Sequence, residues 1–202
     1  MTDEKRAYTK KRRAELEEQT RRRITESAVA LHGTVGPSRT SMSAVAERAG
    51  VRRSTLYRHF PDEAALFAAC SAHWTAANPR PGLEEWATVT DPGQRLRQAL
   101  DELYAYYRRT EPMLSNLHRD EATVAAVRER FARFHGYREA ARETLLRGRP
   151  ERGAARRRVR AALGHALAFT TWRSLTLEQG LDDGQAAALM LGLVAGAGSV
   201  AR

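Results

Sequence analysis

Between Arg53 and His59 the sequence reads RSTLYRH, which sets two guanidiniums, two hydroxyls, a phenol and an imidazole close together with no carboxylate among them. Such a group is built to donate hydrogen bonds to an anionic partner. A guanidinium can pair bidentately with the edge of guanine, while hydroxyl, phenol and imidazole groups reach phosphates on either groove wall. A helix turns by about 100° per residue. At that step Ser54, Thr55 and Arg58 point away from Leu56 and Phe60, Tyr57 and His59 flank that face on opposite sides, and Arg53 sits at the N-terminal tip. A solvated surface would also account for Arg52, Arg53 and Arg58, with Tyr57 in the core. The agreement of charge, turn and flanking hydroxyls favours a duplex.

The elements that must hold these residues lie in the stretch from Thr40 to Phe60, TSMSAVAERAGVRRSTLYRHF. Met42, Val45, Ala46 and Ala49 recur at helical spacing, so a first short helix has one apolar side. Ser41 can cap its start, and Gly50 can end it in a left-handed conformation at little steric cost. Val51 then enters the core, and a second helix places Leu56 and Phe60 one turn apart, facing inward. Two short helices around a glycine turn, the second carrying the donors, form the layout of a helix-turn-helix that reads DNA. Ser41 and Ser43 at the first helix and Arg52, Arg53, Ser54, Thr55, Tyr57, Arg58 and His59 at the second are the candidate DNA-binding residues.

Charge distribution agrees. Residues 1–60 carry 14 Lys and Arg against 7 Asp and Glu, net +7; residues 61–202 carry 20 against 17, net +3; together they make the +10 of the chain. A positive field supplies salt-dependent, sequence-blind attraction to nucleic acid and does not say which sequence is read. Lys10–Arg13 and Arg21–Arg23 are two further basic clusters ahead of the motif. They suit an arm in an adjacent groove and suit equally a solvated tail.

Over residues 20–70 the chain resembles the TetR-type bacterial transcriptional regulators: SAVAERAGV, STLYRHFPD and EAALF follow that pattern nearly position by position. Beyond residue 70 the resemblance is loose. It implies that Ser41, Thr55, Tyr57 and His59 hold phosphates while Arg53, Ser54 and Arg58 face bases. Two positions depart from the pattern. Arg52 stands where the family commonly has a serine cap for the recognition helix, and Glu63 where it commonly has a phosphate-binding lysine. One backbone contact is thereby lost, and Arg52 is the open candidate to replace it.

Composition allows this reading and disfavours others. A 202-residue chain with 42% hydrophobic content can bury a core in one larger or two smaller domains. Cys70 is the single cysteine. It can form neither an internal disulfide nor a zinc knuckle, so a reducing cytoplasm is the expected compartment. The charged N-terminus is not a secretory signal. From Gly184 to Ala201 no residue is charged, and Gly192 and Gly196 show G-x-x-x-G spacing. The segment is short and rich in Ala and Gly with Asp182 and Asp183 at its start, so a buried terminal helix is expected rather than a membrane span. His118, Asp120, Glu121, His135 and His165 include no pair of histidines at the spacing of a helical zinc site. No G-x-S-x-G elbow or phosphate loop is present. Neither enzyme nor metal nor cofactor is expected. Arg149, Arg152, Arg156, Arg157, Arg158 and Arg160 could form a second nucleic-acid surface, but a solvated helix face is the better account.

The remaining periodicity is helical. Ile24, Ala28 and Leu31 give a first helix that ends before the Gly33–Gly36 loop, and Leu66, Cys70 and Trp74 mark a fourth. The run Asn78-Pro79-Arg80-Pro81-Gly82 is the best domain boundary. Leu96, Leu100, Leu103, Tyr104 and Tyr107 mark the next helix, Val124, Val127, Phe131 and Phe134 another, and Val159, Leu163, Leu167 and Trp172 a third, with Pro92, Pro112 and Pro150 between them or at their starts. No strand pattern competes. The expected fold is all-α: an N-terminal helix-turn-helix, three-helix DNA-binding domain plus a C-terminal helical ligand-binding and dimerisation domain. Residues 1–20 form a basic arm or helix extension, 21–78 the DNA-binding domain and 79–202 the effector and dimerisation domain.

One helix-turn-helix contacts few base pairs, so a homodimer on a palindromic DNA operator is expected on physical grounds. The resemblance implies that the last two long helices, about 158–179 and 184–200, form the dimer interface and that the helices before them enclose a small-molecule pocket. Tyr104, Tyr107, Met113, Leu117, Phe131, Phe134, His135, Phe169 and Trp172 are the candidate pocket residues, and they suggest an apolar or aromatic effector. Aromatics at this spacing also make ordinary core. The sequence thus points to a homodimeric regulator, most simply a repressor. The rivals are a nonspecific architectural DNA-binding protein and a helical small-molecule-binding protein or enzyme on a regulator-like fold.

Overall fold

The computed structural model describes residues 2–199. Among the described residues there are ten α-helices and no strand: α1 (Thr2–Thr34), α2 (Met42–Arg48), α3 (Arg53–His59), α4 (Glu63–Ala77), α5 (Leu83–Thr88), α6 (Pro92–Asp120), α7 (Ala125–Leu146), α8 (Gly153–Ala166), α9 (Phe169–Arg173) and α10 (Asp183–Ser199). A single 3-10 turn covers Pro37–Arg39 and a π-helical turn covers Ser174–Glu178. The chain forms two compact units, residues 1–79 with 115–130, and residues 80–114 with 131–202. Residues 115–130, which the sequence reading gave to the second domain, are thus part of the first unit.

In the first unit α1 and α4 pack together, with α2 and α3 against them. Ile24, Ala28, Val45, Leu56 and Phe60 are fully buried at the centre, with Met42, Leu66 and Cys70 around them. The α2–α3 turn is closed by backbone geometry. Gly50 takes φ 62°, its N–H bonds to the Glu47 carbonyl at 3.0 Å, and the Val51 N–H bonds to that of Ala46 at 3.0 Å. This double closure requires a left-handed residue, which favours glycine. Residues 2–20 continue the helix of α1 rather than leaving it.

The loop before α2 is held from a distant part of the chain. Asn116 Nδ2 donates to the His32 and Gly33 carbonyls, both at 3.0 Å, satisfying acceptors at the end of α1. Arg119 donates to the Val35 carbonyl at 2.8 Å, and Asp120 Oδ2 accepts from the Ser38 N–H at 2.9 Å. Gly36, at φ 91°, lies where a Cβ would collide with Arg119 and Asp120. α1 runs to Thr34, one residue beyond the start of the expected Gly33–Gly36 loop.

In the second unit the core gathers Trp86, Leu96, Leu100, Leu103, Tyr104, Tyr107, Val159, Leu163, Phe169 and Trp172, all 0–1% exposed. Arg95, buried with no carboxylate partner among the described residues, spends its donors on the carbonyls of Val89, Thr90, Thr144 and Arg147. Two sequence expectations need correction. Pro112 does not separate helices: α6 runs through it to Asp120. Buried residues on both sides, Tyr107 and Thr110 before it and Met113, Leu114 and Leu117 after it, keep the chain helical, while Pro112 itself is exposed. The helix expected over 158–179 is broken at Leu167–Ala168, with a π-helical turn after α9. At the break the Tyr104 hydroxyl donates to the Ala166 carbonyl at 3.0 Å and the Tyr107 hydroxyl to that of Leu167 at 2.7 Å. Core phenols therefore satisfy the acceptors the interruption frees. The short α5 had no sequence signal assigned to it. Val200 and Ala201, in the expected terminal helix, lie outside the described residues.

Candidate nucleic-acid interface

Local sequence sets the reading surface. Ser41 caps α2, its Oγ accepting from the Ala44 N–H at 3.2 Å, which leaves its hydroxyl proton available to a phosphate. Arg52 occupies the cap position of α3 and makes no capping bond from its side chain. α3 therefore begins without the stabilisation that a serine would supply. Asp62 caps α4 through a 2.7 Å bond to the Ala65 N–H, and Glu63 is the first residue of that helix.

α3 is asymmetric. Leu56 and Phe60 are 0% exposed, whereas Tyr57 is 41% exposed and Arg52, Arg53, Ser54 and Arg58 stand open to solvent. Thr55 and His59 are half-buried at the edges of this surface, and Ser41 and Ser43 are exposed on α2. The Arg53 guanidinium lies 3.5 Å from the Tyr57 hydroxyl and 5.8 Å above the Tyr57 ring. The weak contact leaves it free to exchange onto another acceptor. His59 has an enclosed Nε2 with no hydrogen-bond partner. Burial first, then the nearby Arg58 and Arg21 charges, hold its imidazole below the ordinary histidine range.

Sequence reasoning missed the strut behind this surface. Arg21, read as part of a basic cluster, donates to the His59 carbonyl at 2.9 Å and lies 4.3 Å over the Phe60 ring. It caps the end of α3 and fixes it to α1. Nothing local marks Arg21 apart from Arg22 or Arg23, because its partner is 38 residues away. Asn116, Arg119 and Asp120, which hold the loop leading to Ser41, had no signal either. Asp120, considered as a metal ligand, is engaged by Ser38 and Arg119. No group of three or more metal-ligating side chains gathers among the described residues.

The ligand candidates are mostly interior. Tyr104, Tyr107, Met113, Phe131, Phe134, Phe169 and Trp172 are buried in the second unit, and Leu117 is buried in the first. Tyr107 is central to the aromatic group, 5.4 Å from Phe169 and 5.9 Å from Trp172 between ring centres. The Trp172 indole N–H donates to Asp183 at 2.8 Å. His135 is exposed and lines a cleft of about 300 Å³ with Arg138, Arg142 and Leu167. The arginine run is largely spent within the chain. Arg149 donates to Leu145 and Pro92 carbonyls, Arg152 to those of residues 149–151, Arg158 to Ala197, and Arg160 pairs with Glu143. No helix among the described residues is long and apolar enough to cross a membrane.

A buried apolar anchor, an exposed donor surface and a glycine turn make the first unit a helix-turn-helix DNA-binding module, and the chain a DNA-binding regulator. Residues 24–70 match the family model described as bacterial regulatory proteins, tetR family. The helix-turn-helix is accordingly of the TetR type. Solved structures agree on the fold. A Clostridium perfringens protein named for fatty acid metabolism regulation aligns with TM-score 0.62 and 15% identity, covering 89% of this chain and 100% of that one. The TetR-family regulator PfmR of Thermus thermophilus aligns with TM-score 0.58 and 20% identity over 85% and 96% of the two chains. NalD of Pseudomonas aeruginosa, the secondary repressor of the MexAB-OprM multidrug efflux pump, aligns with TM-score 0.57 and 21% identity over 91% and 97%. No curated protein matches the sequence.

Proposed function

We propose that the chain is a cytoplasmic, homodimeric, sequence-specific transcriptional repressor, released from a palindromic operator when a small apolar or aromatic molecule binds its second unit. The observation that carries this reading is the two-sided character of α3: Leu56 and Phe60 fully buried, Arg53, Ser54 and Arg58 exposed beside one another. A helix anchored from behind with its donors free can enter a major groove. Arg53, Ser54 and Arg58 read bases; Ser41, Ser43, Arg52, Thr55, Tyr57 and His59 hold the backbone.

α10 supports the dimer. Leu189, Gly192, Leu193 and Gly196 recur at helical spacing, and the two leucines are 51% and 44% exposed. An exposed apolar stripe with small residues suits close approach of a second helix. The buried aromatics of the second unit support an apolar effector that opens space among them. That effector must bind the conformer with misspaced recognition helices more tightly, since equal affinity for both shifts nothing; α4, next to the unit boundary, carries the change. Selecting bound sequences from a random duplex pool tests the core of the reading. A palindrome with half-sites about one helical turn apart is expected; recovery of unrelated sequences would refute it.

A further inference from the structure

A cleft of about 370 Å³ lies wholly within the first unit, where the end of α1 meets the starts of α2, α4 and α7. Its size falls in the range of small-molecule sites. Met42, Leu66 and Phe67 supply apolar walls over the buried Val45, and the ionisable side chains lining it are His32, Glu63 and Glu129. Glu63 and Glu129 make no ion pair or hydrogen bond among the described residues. No lysine or arginine lines the space. An anionic ligand would therefore meet two uncompensated carboxylates, and a cation would be attracted.

His32 adds a directional element. It is 7% exposed, with Nδ1 3.5 Å from the Cys70 sulfur, while the Cys70 thiol donates to the Phe67 carbonyl at 3.2 Å. With the thiol proton so committed, Nδ1 carries the imidazole proton and Nε2 is left as an acceptor. Nε2 has no partner among the described residues. The three acceptors are not gathered closely enough for a metal ion, so they suit a larger organic body.

We propose that this cleft binds a small organic ammonium compound: the charge faces Glu63 and Glu129, the apolar body lies on Met42, Leu66 and Phe67, and a ligand N–H reaches His32 Nε2. Tryptamine is the probe, because it combines an ammonium group, an apolar ring and a ring N–H. Calorimetry on the full chain should show one tryptamine per chain, and methyl NMR should show the Met42 resonance moving more than those of Met113 and Met190. Tryptophol and indole-3-propionate, neutral and anionic counterparts, should bind at least about tenfold more weakly. 1-Methyltryptamine, lacking the ring N–H, should also bind more weakly. Glu63→Gln and Glu129→Gln, both at exposed positions, should each weaken tryptamine by about tenfold without unfolding the chain. The proposal is overturned by absence of tryptamine binding, by equal binding of tryptophol or 1-methyltryptamine, by glutamine variants with unchanged affinity, or by binding that leaves Met42 unmoved. None of these readouts uses a duplex, so the site stands or falls apart from the regulatory reading.

Discussion

Arg53→Ala gives the sharpest test of base reading. In the free protein the Arg53 guanidinium is exposed, and its partners among the described residues are the Tyr57 hydroxyl at 3.5 Å and the Tyr57 ring at 5.8 Å. Neither contact is strong, so removing the side chain should change folding stability by no more than about 0.5 kcal/mol. On the duplex the loss should be much larger. A bidentate guanidinium–guanine pair contributes about 1–3 kcal/mol of discrimination, or roughly 5- to 150-fold in affinity for each half-site. The assay is fluorescence anisotropy at one fixed salt concentration, using the selected operator and its single-base variants, because affinities at different salt are not comparable. Wild type should discriminate strongly at one guanine, and the variant should tolerate any base there while keeping its preferences elsewhere. An unchanged base profile would remove Arg53 from the reading set. A uniform loss on every sequence would make it a phosphate contact instead, and would equally refute the base-reading role.

Leu56→Ala should destabilise the first unit by about 2–5 kcal/mol, since Leu56 is fully buried beneath α3; denaturant unfolding measures it, and a loss under about 1 kcal/mol would contradict its role as anchor. Glu63→Lys should tighten binding to any duplex and steepen the salt dependence of log affinity by about one unit; an unchanged slope would place residue 63 away from the backbone. Burial, partly offset by the Asp120 carboxylate, pushes His32 down to about 4 from an unfolded value of 6.5. The unfolded chain therefore binds more protons between those values, so the contribution is fully present above about pH 6.5 and is lost as pH falls towards 4. Its size is on the order of 3 kcal/mol. Denaturant midpoints followed over that range should fall for wild type and fall less steeply for His32→Gln; parallel slopes would refute the assignment.

Fold class and the reading helix were legible because their signals are local. Apolar spacing from Met42 to Ala49, the glycine at 50 and the inward pair Leu56 and Phe60 each determine structure within a few residues. Interruptions were harder to see, because they depend on distant partners. Pro112 reads as a breaker in sequence, yet the buried residues on both sides of it keep α6 continuous. The stretch Val159–Trp172 reads as one helix, yet Tyr104 and Tyr107, some 60 positions earlier, stabilise a break at Ala166 and Leu167. A phenol that spends its hydroxyl on a distant carbonyl looks the same in sequence as one lining a pocket.

The site divides along the same line. The exposed side of α3 could be read from its sequence, since its orientation follows from the inward pair Leu56 and Phe60 and no distant internal contact had to be guessed. The residues that fix the pose of that helix could not, because Arg21, Asn116, Arg119 and Asp120 act through backbone carbonyls and N–H groups 38 to 84 positions away. Arg52 and Glu63 sit between these cases. At the cap of α3 a guanidinium replaces a hydroxyl, which gives up a capping bond and adds a positive charge at the start of the helix; at the start of α4 a carboxylate replaces an ammonium group and lowers the charge by two. Together they lower the net charge by one and shift positive potential from the start of α4 to the start of α3. The number of cationic side chains is thereby kept while their centre moves towards Arg53, Ser54 and Arg58. Reversing both changes together, Arg52→Ser with Glu63→Lys, should therefore leave the salt slope close to wild type, whereas either change alone should move it by about one unit in opposite directions. Salt titrations of the two single variants and the double variant on one duplex decide the matter, and a double variant displaced as far as either single would show that the two sites do not share the phosphate contacts.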